Sequence, residues 1–133
     1  MSFSVRFNKN RTSDDVLSLF ETDGTTSVTL AASDVVRFKI YRRDQATPVL
    51  DLDSAAPSSN DSKITVDELG PSPTASVTIR VSQADALAID PGVYSAEVSV
   101  VDDSETDPAN AIKHFQNGYV FMAGTGGGDI GLT

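Results

Sequence analysis

Apolar residues recur at every second position along much of the chain, the pattern of strands with one buried face. Phe3, Val5 and Phe7 alternate with Ser4 and Arg6. Across 34–41, Val36, Phe38 and Ile40 alternate with Val35, Arg37, Lys39 and Tyr41. Ala75, Val77, Ile79 and Val81 alternate with Ser76, Thr78 and Arg80, and Tyr94, Ala96, Val98 and Val100 alternate with Ser95, Glu97 and Ser99. Each set predicts a strand with the apolar members facing in. Shorter strands are expected at 49–52, where Pro48 marks an edge position, and at 63–66. The last strand is expected over 112–122, with Gly118 as a bulge or bend and Phe115, Tyr119 and Phe121 on one aromatic face. Most of the aromatic residues are assigned to the core.

The stretch 14–21 reads two ways. Val16 and Phe20 sit four apart behind Ser13, as in a capped helical turn, but Asp23-Gly24 follows closely. Asp-Gly is a hairpin signal, so the preferred reading is strand, turn, and a further strand at 27–31 with Val28 and Leu30 inward. The segment 54–62 is rich in Ser, Ala, Pro, Asn and Asp and predicts an exposed loop. Ser82 followed by Asp85 fits a capping box, predicting a short helix whose Leu87 and Ile89 plug the open end of the core. Pro91-Gly92 then makes a tight corner, since Pro fixes φ and Gly accepts positive φ.

The sum is seven to nine short strands and one short helix before the Pro-Gly-Val-Tyr corner. That predicts an all-β antiparallel sandwich over 1–123, followed by a Gly-rich tail at 124–133. Tyr94, two residues past the corner, resembles the tyrosine corner of immunoglobulin-like sandwiches.

Charge and composition narrow the chemistry. The 133 residues carry a formal charge of −9, which disfavours duplex nucleic acid as the main partner. Seven of the ten basic residues precede Asp44: Arg6, Lys9, Arg11, Arg37, Lys39, Arg42 and Arg43. This asymmetry predicts a basic stripe able to meet an acidic rim on a neighbouring subunit, against the plainer reading of an unevenly charged surface. The absence of cysteine excludes disulfides and thiolate metal sites. No apolar run approaches the roughly 20 residues of a membrane span, and the first residues do not read as a leader, so synthesis in a cytoplasm and no membrane partner are expected.

Signals for reaction chemistry are few. His114 is the only histidine and no G-x-S-x-G stretch occurs, so it reads as a surface or subunit-contact residue. Asp102, Asp103, Glu105 and Asp107 could hold calcium, as could the smaller pair Asp51 and Asp53, but neither fits an EF-hand loop and solvated loops are the default. Glycines 124–128 lack the following Lys and Ser/Thr of a phosphate loop. Asn10-Arg11-Thr12 and Asn60-Asp61-Ser62 match glycosylation acceptors by chance composition. Glu97 is the one central carboxylate that a hydrolase could use, and it lacks a second carboxylate beside it in the pattern. The expectation is a protein that is not an enzyme and takes no cofactor.

The chain also resembles small virion proteins of tailed bacteriophages with an immunoglobulin-like fold. The resemblance lies in Asp34-Val35-Val36-Arg37-Phe38-Lys39-Ile40, Pro48-Val49-Leu50-Asp51-Leu52, Ala75 to Val81 leading into Asp90-Pro91-Gly92-Val93-Tyr94, and Lys113 to Gly118. It implies binding and assembly: a capsid cement or decoration subunit present in many copies, partnered by the major capsid protein and located in the virion. A tail or baseplate component is the alternative within that class. A carbohydrate- or surface-binding module is the alternative outside it, and would require exposed aromatic side chains. Expected partner-binding residues are Arg6, Lys9, Arg11, Arg37, Lys39, Arg42 and Arg43, with the segments 1–11 and 123–133 as docking arms and Ile130 and Leu132 as the apolar points of the second.

Overall fold

The structure, a computed structural model, describes residues 2–102, 104–107 and 111–124. Among them the elements run β1 (Ser2–Asn8), β2 (Ser13–Ser18), β3 (Asp34–Tyr41), β4 (Pro48–Asp53), β5 (Lys63–Glu68), β6 (Ser76–Val81), α1 (Gln83–Leu87), β7 (Gly92–Asp102) and β8 (Ile112–Ala123). The strands form a five-stranded sheet ordered β1-β8-β7-β3-β4 and a three-stranded sheet ordered β2-β6-β5. The fold is an all-β, immunoglobulin-like sandwich: the second, fifth and sixth strands make one layer, and the third, seventh and eighth the other, with β4 added beside β3. It is not wholly antiparallel. The first strand is an edge of the five-stranded sheet and runs parallel to β8, from Ser2 opposite Asn117 to Asn8 opposite Ala123.

The period-two stripes become the core. Val36, Phe38 and Ile40 are fully buried on β3, as are Val77, Ile79 and Val81 on β6. Phe3 and Phe7 each place a ring 6.4 Å from Phe38, tilted or edge-on, so β1 is tied down by aromatic packing as well as by its ladder. Within 14–21 the chain is strand up to Ser18 and extended beyond it, with Leu17 and Leu19 buried and Val16 exposed. That alternation has period two, and a helix would have buried Val16 with Phe20. The segment 27–31 is not a strand. It makes one bridge, Phe20 to Ser27, yet Val28 and Leu30 are buried as expected, held by their amides to the carbonyls of Leu19 and Leu69 at 3.0 and 2.8 Å.

Ser82 caps α1, its Oγ accepting from the Asp85 amide at 3.2 Å. The Asp85 carboxylate accepts in turn from Ser58 and Asn60, both at 2.9 Å, and from Ser62. Burial pushes the Asp85 carboxyl up, and the hydroxyl and amide donors together outweigh it, leaving the group below its ordinary value. The loop 54–62 is therefore pinned to α1, with Ser62 fully buried, where composition predicted an exposed loop throughout. Ile89 plugs the core and Leu87 does not: it is 51% exposed. At the corner Gly92 has φ of 149°, and the Tyr94 hydroxyl donates to the Asp90 carbonyl at 2.5 Å.

Gly118 is neither a bulge nor a bend. The register shift in this hairpin lies between Val100 and Val101. A Cβ at Gly118 would come within 2.4 Å of the Phe3 carbonyl oxygen and 2.5 Å of the Phe3 ring, so glycine is there to let β1 approach β8. Among the described residues no helix is long and apolar enough to cross a membrane.

Candidate functional site

The outer face of the five-stranded sheet is where the structure gathers unusual surface. Eight large hydrophobic side chains are exposed in the described part of the chain, and five of them, Val93, Ile112, Phe115, Tyr119 and Phe121, lie on β7 and β8. The aromatic residues of β8 thus face outward. His114 and Gln116 take the inward positions instead, 9% and 2% exposed, and share a hydrogen bond of 2.8 Å between Nε2 and Oε1. His114 is therefore a buried residue, not a surface one, with the Glu21 carboxylate 3.8 Å from Nδ1. The face of β8 is decided by its neighbours: Ala96 opposite Gly118 and Tyr94 opposite Val120 fix the even-numbered residues of β8 on the core side.

Across this face the side chains fall in rows set by register. Phe121 stands between Val93 and Arg6, whose guanidinium lies 4.6 Å over its ring. Tyr119 and Tyr41 flank Ser95. Asn117, Glu97 and Lys39 make the next row, and Phe115, Ser99 and Arg37 the one after. Two hollows of about 230 and 280 Å³ meet at Glu97. The first is lined by Tyr41, Ser95, Asn117 and Tyr119, and the second by Arg37, Lys39, Ile112 and Phe115. The Tyr41 hydroxyl reaches Glu97 Oε1 at 3.4 Å, and burial, with the Glu97 charge adding to it, raises the phenol above its ordinary value. Tyr41 therefore stays a neutral donor at any working pH.

The basic residues singled out by the sequence do not act as one stripe. Arg37 and Lys39 share the outer face and make no ion pair among the described residues; Arg37 Nε is buried without a hydrogen-bond partner. Arg42 lies past the strand end, turned toward Asp90 at 3.7 Å and over the Tyr94 ring at 6.0 Å. Arg43 is exposed in the turn beyond it, and Arg11 lines a polar depression beside β1. Lys9 is occupied within the fold, donating to the carbonyls of Leu87 and Ile89 at 2.8 and 3.0 Å. Residues 2–8 are a sheet strand, as their alternation predicted, so most of the segment 1–11 expected to dock is part of the sandwich. Ile130 and Leu132, with the tail from 125 on, lie outside the described residues.

The acidic segments serve their own turns. Asp102 accepts from the Ser104 amide and hydroxyl, which hold its carboxyl below the usual range, and Asp53 caps the amides of Ala55 and Ala56. Asp103 lies outside the described residues. Among those described, no three acidic or histidine side chains converge as a metal site would require, and no hydroxyl is bonded to His114.

Fold and surface together define an immunoglobulin-like sandwich with an aromatic, cation-bearing sheet face open to solvent. No protein-family model matches the chain, and no curated protein matches its sequence. The exposed aromatics were the feature that sequence reasoning missed. The signal was present in Gly118, Val120 and Met122, whose shared parity with His114 and Gln116 marks the inward side.

Proposed function

We propose that the chain is a non-catalytic virion structural subunit of the tailed-phage kind, a capsid cement or decoration protein that adheres to the major capsid protein in many copies. The observation that carries the adhesive part of this reading is the concentration of Val93, Ile112, Phe115, Tyr119 and Phe121 on one sheet face. Exposed apolar groups gathered in one patch mark interaction surfaces, whereas scattered ones do not. Arg37 beside that patch supports the same reading, because a buried guanidinium nitrogen without a partner favours an acceptor brought by another molecule. The virion setting rests on the resemblance of the strand motifs given above. Docking through the face replaces docking through residues 1–11, and the tail, with Ile130 and Leu132, remains the second proposed contact. Stabilisation of a shell would follow from mass action, since binding to the assembled form alone favours that form.

Co-sedimentation of the purified protein with purified capsids and, separately, with purified tails tests this. Binding to capsids that is lost in a Phe115→Ala/Phe121→Ala double variant is the expected result. Binding to tails alone moves the protein to the tail or baseplate, and binding to neither overturns the reading.

A further inference from the structure

The smaller hollow has a chemistry of its own. Tyr41 on β3 and Tyr119 on β8 stand on either side of Ser95, two strand spacings apart, which sets their Cα atoms about 10 Å from each other. Ser95 is small, so the two rings border an open slot floored by backbone at Ala96 and Gly118. Glu97 and Asn117, opposite each other in the next row, close one end. The slot holds about 230 Å³, below the roughly 300–1,000 Å³ of sites for drug-sized ligands, which suits one ring of a longer molecule.

We infer that this slot binds one ring of a neutral glycan, with Tyr119 as the stacking platform and Glu97 and Asn117 as the hydrogen-bonding end. The ring must be apolar on its face, to lie on Tyr119, which is 60% exposed. It must also be rich in donors at its rim. The Glu97 carboxylate accepts, its one donor among the described residues is the long contact from Tyr41, and Asn117 and Ser95 each both donate and accept. A pyranose meets both conditions. A proline ring has the face and no donors. An acidic sugar or a nucleotide would bring negative charge to Glu97 and to a chain of −9. Lys39, opposite Glu97 on β3, and Arg37 line the neighbouring hollow and not the slot, so neither offers a direct ion pair to a group held there. The inference does not rest on the virion reading, although Tyr119 belongs both to the slot and to the wider apolar face. The carbohydrate alternative drawn from sequence required exposed aromatic residues, and the structure supplies them.

The chain has no Trp, and Tyr94, the remaining tyrosine, is buried away from the slot, so a ligand-induced change in tyrosine fluorescence reports on Tyr41 and Tyr119. The test is titration of the whole protein with neutral hexasaccharides of glucose, mannose and galactose, and with an oligogalacturonate, followed by fluorescence and by amide chemical shifts. Expected is saturable binding to at least one neutral oligosaccharide with Kd of about 0.1–1 mM, with shifts confined to β3, β7 and β8. Tyr119→Ala should weaken it about tenfold or more and Glu97→Gln several-fold, with the thermal midpoint of each variant unchanged. The inference is overturned by no saturable response to any neutral sugar at about 10 mM, by binding of the acidic oligomer alone, or by full binding in Tyr119→Ala. In the Phe115→Ala/Phe121→Ala variant, particle binding should fall while sugar binding persists, so the two readings fail separately.

Discussion

The two sheets each turn one face to the core, and their outward faces are built on different plans. On the three-stranded sheet, Arg80 holds Asp14 in a two-pronged pair at 2.7 and 3.0 Å, and the Thr78 hydroxyl donates to Asp67 at 2.6 Å. Val16 is the one large apolar side chain exposed on its strands among the described residues. On the five-stranded sheet, three of the outward aromatic side chains, Phe115, Tyr119 and Phe121, are exposed, and Arg37 and Lys39 have no ionic partner among the described residues. A face that satisfies its own polar groups is finished when it meets water. A face that leaves a cation unpaired beside exposed rings gains by meeting something else.

The sharpest way to break that comparison is one substitution made on both sides of the five-stranded sheet. Phe38 is fully buried and Phe115 is 45% exposed. Phe38→Ala should cost about 3–5 kcal/mol in urea unfolding, through lost transfer energy and the cavity left behind. Phe115→Ala should stay within about 0.5 kcal/mol of the parent. Equal losses would mean that the outer ring is part of the core.

Gly118→Ala comes next in size. One methyl group would collide with the Phe3 carbonyl and ring, and the backbone cannot yield without loosening the parallel β1–β8 ladder. A loss of about 1–3 kcal/mol is expected, together with faster hydrogen exchange of the β1 amides. A variant as stable and protected as the parent would show that β1 has room to shift.

How much of this was legible from residues alone follows from what period-two patterning can carry. It separates the two sides of a strand, and it placed Val36, Phe38 and Ile40, or Val77, Ile79 and Val81, without error because one side was clearly apolar. On β8 both sides carry apolar groups, and hydrophobicity favoured Phe115, Tyr119 and Phe121. The choice was made by the register with β7 and by Phe3 lying over Gly118, which are long-range facts. The Ser82 cap and the Tyr94 corner were readable because a local hydrogen bond defines each one. The bonds from Ser58, Asn60 and Ser62 to Asp85 join residues more than 20 positions apart, and composition says only that such a loop is polar.

That loop anchor gives the next effect. The Asp85 carboxyl lies below its ordinary value in the folded chain, so its contribution is present above the unfolded value of about 3.9 and is lost as pH falls through the folded value. Asp85→Asn should cost about 1 kcal/mol at neutral pH, the size of a lost charge-assisted hydrogen bond in a partly solvated site. The gap between variant and parent should close on acidification below about pH 4. A gap that does not narrow at all as pH is lowered below the unfolded value would assign the loss to packing.

The smallest effect separates the two outer faces most directly. Asp14 is held below its ordinary value chiefly by the hydrogen bond from Arg80, so this pair, too, contributes above the unfolded carboxylate range and fades in acid. Both side chains are 45% exposed, so the contribution is screened and its midpoint change should be smaller than that of Asp85→Asn. Arg80→Gln should lower the thermal midpoint in dilute buffer, and the difference from the parent should vanish at about 1 M salt, where the screening length is about 3 Å. Arg37→Gln should show no such salt-dependent loss, because Arg37 has no ion pair to screen among the described residues. Its cost should appear instead as weaker binding to particles, with the midpoint unchanged. A salt-dependent loss of stability in Arg37→Gln as large as in Arg80→Gln would place both cations in the same structural role and remove the distinction between the faces.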